Sequence, residues 1–210
     1  MPKLIEKQII DFTDELASGA PTPGGGGASA LAGALGIALG NMVANLTIGK
    51  KRYACVEFKL VSLRAKAEDV QRELLELIEE DAEVFTSLAE VYRMPSDTDD
   101  EKVFRGKAMQ SALVGAAQIP LEIMKKCAEA IDLIEGFAKY GSRLALSDAA
   151  CAATLCKSAL KSAWINVRVN THPMMDVYLK EKIEKEGLYL LGEYSAKADA
   201  IYDEIETNLR

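Results

Sequence analysis

The chain has 210 residues, with 25 Lys and Arg against 32 Asp and Glu, and a formal net charge of −7. This acidic balance argues against a general nucleic-acid-binding protein, which needs a basic face. The four cysteines form no CxxC pair and there is one histidine, so the common zinc sites are excluded and a reducing, cytoplasmic compartment is favoured. The start, "MPKLIEKQII", is too charged for a secretory leader.

Apolar residues recur at spacings of three and four along the whole sequence, and strand-like alternation is nearly absent. This pattern predicts an all-α fold, a single-domain helical bundle covering residues 1–210. The first helix is "KLIEKQIIDFTDELAS", and Gly19 is its predicted C-cap. Its predicted buried face is formed by Ile5, Ile9, Phe12 and Leu16.

A glycine-rich stretch, "GAPTPGGGGASALAGALG", follows at residues 19–36. Ordering so many glycines costs backbone entropy, which a tight turn or a ligand contacting the backbone would offset. A P-loop needs a Lys after the glycines and a Rossmann loop needs a strand before them, and neither is present. Two interpretations remain. The stretch is a tight connection between packed helices, or its free amides at a helix N-terminus receive an anionic group or the polar edge of a flat ligand.

The next predicted helix, residues 28–48, is apolar on nearly every side and long enough to cross a bilayer. It is rich in Ala and Gly, contains Asn41, Asn45 and Thr47, and lacks an aromatic belt, so we favour a buried helix over a membrane span. A stripe of small residues at four-residue spacing would let another helix approach closely: Ala32, Gly36, Gly40 and Ala44.

A heptad seam runs from Val56 to Val91 and predicts a helix of about 55 Å. The seam has one break, Asp81, where an apolar residue is due. A carboxylate there is costly unless it is paired, hydrated or protonated. Asp81 is either a polar residue that sets the helix register or a site acid whose pKa is raised by burial. Phe85, one turn later, suits a planar aromatic ligand or plain core packing.

After the polar loop "RMPSDTDDEKV", Pro120 either kinks one long helix or starts a new one, and Gly141 ends that stretch. The following helix is predicted to start with Ser147 or Asp148 as its N-cap.

The far end of this helix carries Asn166 and Asn170, which lie four residues apart and so share one face. The last predicted helix runs roughly from Asp176 to Leu209. Its core stripe is formed by Leu179, Ile183, Leu190, Tyr194, Ile201 and Ile205.

The stretch "PTPGGGGASALAGALGIALGNMVANLTIGKKRY" resembles the opening signature of the formiminotransferase-cyclodeaminase family, in its cyclodeaminase part. The resemblance continues through "EEDAEVF" and "LSDAACAATLCKSALKSAWINVRVN" and covers essentially the whole chain. The glycine signature followed by Thr47, Lys50 and Tyr53 is its most specific part. Relatives often have an Asn-Pro pair before the Ser-Asp, where this chain has "GSRLALSD".

The resemblance implies an all-helical, homodimeric, cytoplasmic enzyme with long antiparallel helices. Such an enzyme is an ammonia-lyase of one-carbon metabolism and histidine degradation, which closes 5-formiminotetrahydrofolate to 5,10-methenyltetrahydrofolate. It needs no metal and no cofactor beyond its folate substrate, and we expect neither a nucleic acid nor a membrane as partner. Close relatives that open the same ring with water, the methenyltetrahydrofolate cyclohydrolases, are the alternative. A non-catalytic folate-binding or helical scaffold protein is the alternative of another class.

Ring closure needs a base near N10 and an acid for the leaving nitrogen. Two carboxylates in unlike environments would serve: Asp81 on the apolar seam as the acid, and Asp148 at a helix N-terminus as the base or as a ligand for the pterin. His172, the lone histidine, is a candidate general base, but in a predicted loop we interpret it as incidental.

The basic cluster "GKKRY" would contact the glutamate tail of folate, whether the tail has one glutamate or several. Binding of the tail would then weaken as the salt concentration rises. The alternative is a solvated basic turn at a helix C-terminus. A formiminotransferase encoded separately is a candidate partner. The predicted substrate-binding residues are Pro23, Gly24, Gly25, Gly26, Ser29, Asn45, Thr47, Lys50, Lys51, Tyr53, Phe85, Asn166 and Asn170.

Overall fold

A computed structural model describes residues 3–208, and within that range the chain forms six α-helices and no strand, so the all-α fold is confirmed. The predicted end of the last helix at Leu209 lies outside the described residues. Short 3-10 turns occupy Leu4–Glu6, Lys51–Tyr53 and Arg143–Ala145. The helices are α1 (Ile9–Leu16), α2 (Gly25–Asn45), α3 (Glu57–Tyr92), α4 (Asp99–Tyr140), α5 (Leu146–Thr171) and α6 (Val177–Asn208).

Helix α2 lies at the centre of the bundle and packs against α3, α4 and α5, while α6 covers α5 and α4. Along α2 and α3 the contacts run in opposite directions: Gly26 meets Asp81, and Gly33 meets Leu74. The N-terminus of α2 is therefore placed beside the middle of α3.

The heptad seam of α3 is confirmed. Its members Leu60, Leu74 and Leu77 are buried, and Leu88 is buried after the break at Asp81. These side chains join one hydrophobic core that extends through all six helices. Burial of such a seam is the main stabilising term for a helix of this length, because isolated helices are marginal in water.

The prediction that α2 begins only at residue 28, after the glycines, is wrong. Gly24 is the N-cap of α2, and Gly25 to Gly27 form its first turn. Local propensity opposes helix at these glycines. Contact with α3 overrides it, because Gly26 and Gly27 are both buried against Asp81 and Ile78.

The prediction for the first helix is also wrong in part. Extended backbone at Lys7 and Gln8 separates the turn Leu4–Glu6 from α1, and the C-cap is Ala17. Of the predicted apolar face only Phe12 is buried, whereas Ile9 is 83% exposed. The other residues of the predicted face are not buried because α1, at eight residues, is too short to pack a complete apolar face against the core.

Pro120 lies inside α4, so the first of its two predicted placements is correct, and Gly141 is the C-cap as predicted. Helix α5 begins differently from the prediction. Its N-cap is Ala145, because the preceding 3-10 turn runs directly into the helix, and Ser147 and Asp148 lie in the first turn.

Within residues 3–208, α2 is the one helix long and apolar enough to cross a membrane by length and composition. Most of its apolar window, 61%, is buried inside the bundle, as in a core helix.

Candidate functional site

The glycine run and the lone acid on the α3 seam lie against each other. Asp81 Oδ2 accepts the Gly27 N–H at 2.9 Å. A Cβ atom at position 26 would lie 2.0 Å from Asp81 Oδ1, so any side chain there would collide with the carboxyl group. The two features that stood out in the sequence therefore explain each other: Gly26 leaves the space that lets Asp81 reach the N-terminus of α2.

Burial raises the pKa of Asp81 above its ordinary value of 3.8, and the hydrogen bond from Gly27 opposes the rise in part. The carboxyl group consequently keeps its proton to a higher pH than an exposed aspartate does. An acid whose pKa moves towards neutrality is suited to transfer a proton during a reaction.

A pocket opens beside Asp81, between the first turn of α2 and helices α3, α4 and α5, with a volume of about 170 Å³. Asp81 is the one titratable side chain among the described residues that line it. The lining residues are Pro21, Thr22, Gly24, Gly25, Gly26, Asp81, Val84, Phe85, Ala116, Ile119, Asn166, Val169 and Asn170.

The pocket also receives hydrogen-bond donors from the backbone. Gly25 and Gly26 belong to the first turn of α2, whose amides have no partner within the helix. Neither amide donates to another residue in the described range 3–208. Free amides at the positive end of a 21-residue helix favour an oxygen that carries or develops negative charge.

Helix α5 supplies two amide side chains. The Asn166 side chain lies against Gly25, where an added Cβ would be 3.1 Å from both its Oδ1 and its Nδ2. Asn166 Nδ2 donates to the Ser162 carbonyl at 2.9 Å. Asn170 Nδ2 donates to the carbonyls of Ala116 at 2.7 Å and Asn166 at 2.9 Å. These bonds hold both amides at the pocket wall.

One part of the predicted site is thus brought together: Gly24, Gly25, Gly26, Asp81, Phe85, Asn166 and Asn170 all line the pocket. Two further predicted residues lie beside it and are buried. The Ser29 hydroxyl donates to the Gly25 carbonyl at 2.5 Å, and Pro23 packs near Gly27. Both support the first turn of α2 and do not line the pocket.

The other predicted residues lie at the opposite end of the bundle: Asn45, Thr47, Lys50, Lys51, Tyr53 and Asp148. Twenty residues of helix separate Gly25 from Asn45, a distance of about 30 Å. Lys50 and Lys51 are exposed there, and Asp148 is half-buried. Within one chain, Asp81 and Asp148 do not share a pocket.

Thr47 and Tyr53 of this distant group contact the residues that follow α4. Thr47 is fully buried, donates to the Val43 carbonyl at 2.6 Å and accepts the Ser142 N–H at 2.8 Å. The Tyr53 hydroxyl accepts the Arg143 N–H at 3.3 Å. Both residues therefore fasten the connection between α4 and α5.

A larger groove of about 1070 Å³ lies at the same distant end and includes Arg52, Tyr53, Lys139 and Arg143. It lacks the combination found at Asp81, a partly buried acid beside free helix amides. We therefore take the smaller pocket as the candidate active site.

Sequence reasoning missed six lining residues. Pro21 and Thr22 directly precede the glycines, and proximity to that signature would have found them. Val84 was assigned to the core seam. Nothing local marks the remaining three, because their place in the pocket depends on tertiary packing: Ala116, Ile119 and Val169.

Comparison with known proteins gives consistent results. A methenyltetrahydrofolate cyclohydrolase from Methylorubrum extorquens is 42% identical over 201 residues, covering 96% of this chain and 97% of its own. The formimidoyltransferase-cyclodeaminase of Mus musculus is 27% identical over 203 residues, and the chain spans 38% of its length. The crystal structure of a formiminotetrahydrofolate cyclodeaminase from Thermotoga maritima superposes with a TM-score of 0.81 at 28% identity, covering 98% of this chain and 96% of that one.

The family model of formiminotransferase-cyclodeaminase matches residues 8–187. This range includes the glycine turn, Asp81 and both asparagines of the pocket. The chain belongs to the formiminotransferase-cyclodeaminase family.

Proposed function

We propose that the chain hydrolyses 5,10-methenyltetrahydrofolate, adding water to the one-carbon bridge between N5 and N10. The observation that carries this proposal is the Asp81 carboxyl group beside the free amides of Gly25 and Gly26. The relative from Methylorubrum extorquens supports it, because the similarity extends over nearly the full length of both chains.

The proposed reaction needs one proton relay. Water attacks the bridge carbon of the methenyl cation and passes a proton to the Asp81 carboxylate. Asp81 then returns that proton to the nitrogen that leaves the carbon. The remaining hydroxyl proton goes to solvent as the formyl C=O forms, so that methenyl cation and water yield formyltetrahydrofolate and one proton. A single carboxyl group is sufficient for this sequence.

The amides of Gly25 and Gly26 favour addition of water to the bridge over release of ammonia. As the bridge carbon becomes tetrahedral, the new oxygen is an acceptor that backbone N–H groups can stabilise. Ammonia leaving as a cation or as an N–H donor would gain nothing from the positive end of a helix.

Formiminotetrahydrofolate cyclodeaminase activity is the second candidate, favoured by the likeness to the Thermotoga maritima structure over nearly the whole of both chains. Here N10 attacks the carbon of the formimino group, whose nitrogen is protonated. Asp81 takes the N10 proton and passes it to the amino group, which leaves as ammonia. The product is the methenyl cation that the first candidate consumes.

A two-substrate assay separates the candidates. Methenyltetrahydrofolate absorbs in the near ultraviolet, so its gain or loss is followed directly. We expect the protein to accelerate loss of the methenyl absorbance. Formation of that absorbance from 5-formiminotetrahydrofolate, with release of ammonia and without hydrolysis, would support the second candidate instead. No enzyme-dependent change in absorbance with either substrate would contradict an enzymatic role.

The reduced folate is the substrate in this proposal, and no further cofactor takes part. The cytoplasm is the proposed compartment, supported by four free cysteines. Among residues 3–208 no group of three or more His, Cys, Asp or Glu side chains is placed to hold a metal ion.

A homodimer is part of the proposal, because the pocket of one chain is small. Its volume of about 170 Å³ is below the ~300 to 1,000 Å³ typical of small-molecule sites. Tetrahydrofolate would fill the pocket with part of its ring system and extend beyond it. A second copy of the chain would cover the remainder.

The outer face of α2 and α5 is the proposed contact surface. Helix α2 carries no charged residue, yet Leu35 is 54% exposed, and Met42 and Leu46 lie on the same side. Helix α5, which packs directly against α2, adds the exposed Ile165 and Val169 near the pocket end. Helices α2 and α5, about 30 Å and 40 Å long and lying side by side, offer on the order of 700 Å² per copy, approaching the ~800 Å² of a standard interface.

Charge complementarity favours an antiparallel pairing. The pocket end carries the exposed acids Glu80 and Glu83, whereas the far end carries the exposed bases Lys50 and Lys51. Antiparallel copies place each basic end beside the other copy's acidic end, and parallel copies place like charges together. The lysines of the second copy would then lie near the pocket, where they would bind the glutamate tail.

A further inference from the structure

Pro120 lies in the interior of α4, a helix of 42 residues. Proline has no amide hydrogen, so it cannot donate to the carbonyl four residues earlier in the helix. That carbonyl belongs to Ala116, which lines the pocket. Pro120 therefore frees one backbone acceptor at the pocket wall.

The freed carbonyl is occupied by a side chain from another helix. Asn170 Nδ2 donates to Ala116 O at 2.7 Å, and its second hydrogen goes to Asn166 O at 2.9 Å. With both hydrogens used, the orientation of the amide is fixed. A flipped amide would set its oxygen against two carbonyl oxygens, which is repulsive.

The Asn170 side-chain oxygen is what remains for a ligand. Asn170 lines the pocket, and this oxygen has no hydrogen-bond partner among residues 3–208. It can only accept. The pocket thus offers donors on one side, at the first turn of α2, and a fixed neutral acceptor on the α5 side.

We infer that Pro120 is a positioning residue: through the carbonyl of Ala116 it locks Asn170 as the acceptor for an N–H group of the bound pterin ring. This inference rests on the proposed function and adds a specificity determinant to it. The reduced pterin carries N–H donors along its pyrimidine edge, whereas the one-carbon bridge is the part that Asp81 must reach. Asn170 would thus hold the ring while Asp81 acts on the bridge.

A residue with an amide hydrogen at position 120 would undo the arrangement. Its N–H would donate to Ala116 O within the helix and compete with Asn170. The Asn170 amide would then be free to rotate, and its oxygen would be presented to the ligand for only part of the time. Helix α4 itself would gain a hydrogen bond, so that helix stability and ligand binding should change in opposite directions.

A double-mutant cycle tests the inference. Binding of 5-formyltetrahydrofolate, a stable relative of the substrate, is measured by calorimetry for wild type, Pro120→Ala, Asn170→Ala and the double variant. We expect Asn170→Ala to weaken binding roughly tenfold, the equivalent of one hydrogen bond, and Pro120→Ala to weaken it less. The double variant should match Asn170→Ala alone, because Pro120 acts through Asn170.

The thermal midpoint separates this role from a purely structural one. Pro120→Ala should keep or raise the Tm while weakening binding, and for methenyltetrahydrofolate it should raise KM more than it lowers kcat. Gly106→Ala, also in α4 with nothing within 4 Å of the added Cβ, should leave binding unchanged.

Additive effects in the double variant, or wild-type binding by Pro120→Ala, would overturn the inference and leave the proposed function intact. Wild-type protein that binds no folate at all would overturn both.

Discussion

At the scale of single residues, the site depends on the absence of one side chain. Gly26 has no Cβ, and the Asp81 carboxyl group occupies that space. The carboxyl group thereby gains a hydrogen bond from Gly27 and lies where the free helix amides begin. The missing Cβ at position 26 therefore controls the position of the proposed proton carrier.

Gly26→Ala should push the Asp81 carboxyl group away from α2, because the added Cβ would lie 2.0 Å from Oδ1. The end of a side chain can move, so we expect a folded protein. Activity should fall on the order of 100-fold, the lower range for loss of a general acid–base group. Steady-state kinetics with circular dichroism would check this. Near wild-type kcat in a folded Gly26→Ala protein would contradict the placement of Asp81.

The pKa of Asp81 predicts a pH dependence of stability. Because burial raises this pKa above 3.8, the folded state favours the protonated form. The stability that Asp81 contributes is present below 3.8 and is lost as pH rises through its folded pKa. Asn cannot ionise, so the Tm of Asp81→Asn should rise relative to that of wild type as the pH is raised from about 4. A constant Tm difference across that range would show that the carboxyl group is not shifted upwards.

At the scale of helices, α2 owes its central place to small residues that let its neighbours approach. The predicted stripe includes Gly36, where an added Cβ would lie 2.5 Å from Cys156 Sγ and 3.1 Å from the Ala152 carbonyl. Helices α2 and α5 therefore pack with backbone close to backbone. This contact fixes the distance between the glycine turn and the asparagines of the pocket.

Gly36→Ala should separate α2 from α5 and destabilise the protein by about 1–3 kcal/mol, the usual cost of overpacking. Urea denaturation would measure the change. Gly192→Ala is the matched control: it lies in α6 with nothing within 4 Å of the added Cβ, and should stabilise by up to ~1 kcal/mol. Equal effects of the two variants would mean that the α2–α5 contact is not close.

Periodic patterns predicted the helices well and the site in part. The α3 seam and its break at Asp81 are visible in sequence, since a heptad pattern is local information. The helical state of Gly25 to Gly27 was not predicted, because glycine's propensity opposes it and the contact that decides it lies 54 residues away. The role of Pro120 was not predictable either, because the side chain that takes up the freed Ala116 carbonyl, Asn170, comes from another helix.

At the scale of the whole molecule, the predicted site residues fall into two groups about 30 Å apart along α2. Residues of one family signature thus occupy both ends of one helix. An antiparallel homodimer would reunite them, with the lysines of one copy near the Asp81 pocket of the other.

Mixed dimers test this arrangement. Asp81→Asn chains and Lys50→Ala/Lys51→Ala chains are unfolded together, refolded and assayed at low substrate concentration. If each site draws Asp81 from one copy and the lysines from the other, half of the dimers contain one intact site, and activity returns to roughly a quarter of wild type. If each site lies within one chain, every site keeps a defect and activity stays at the level of the two variants mixed without refolding.

The loss of 5,10-methenyltetrahydrofolate absorbance, followed for wild type and Asp81→Asn in parallel at neutral pH, tests most directly whether Asp81 carries the reaction. Wild type should accelerate the loss, and Asp81→Asn should lower kcat on the order of 100-fold or more while it stays folded and binds folate. A folded Asp81→Asn protein with wild-type kcat would contradict the assignment of Asp81 and of the pocket around it as the active site.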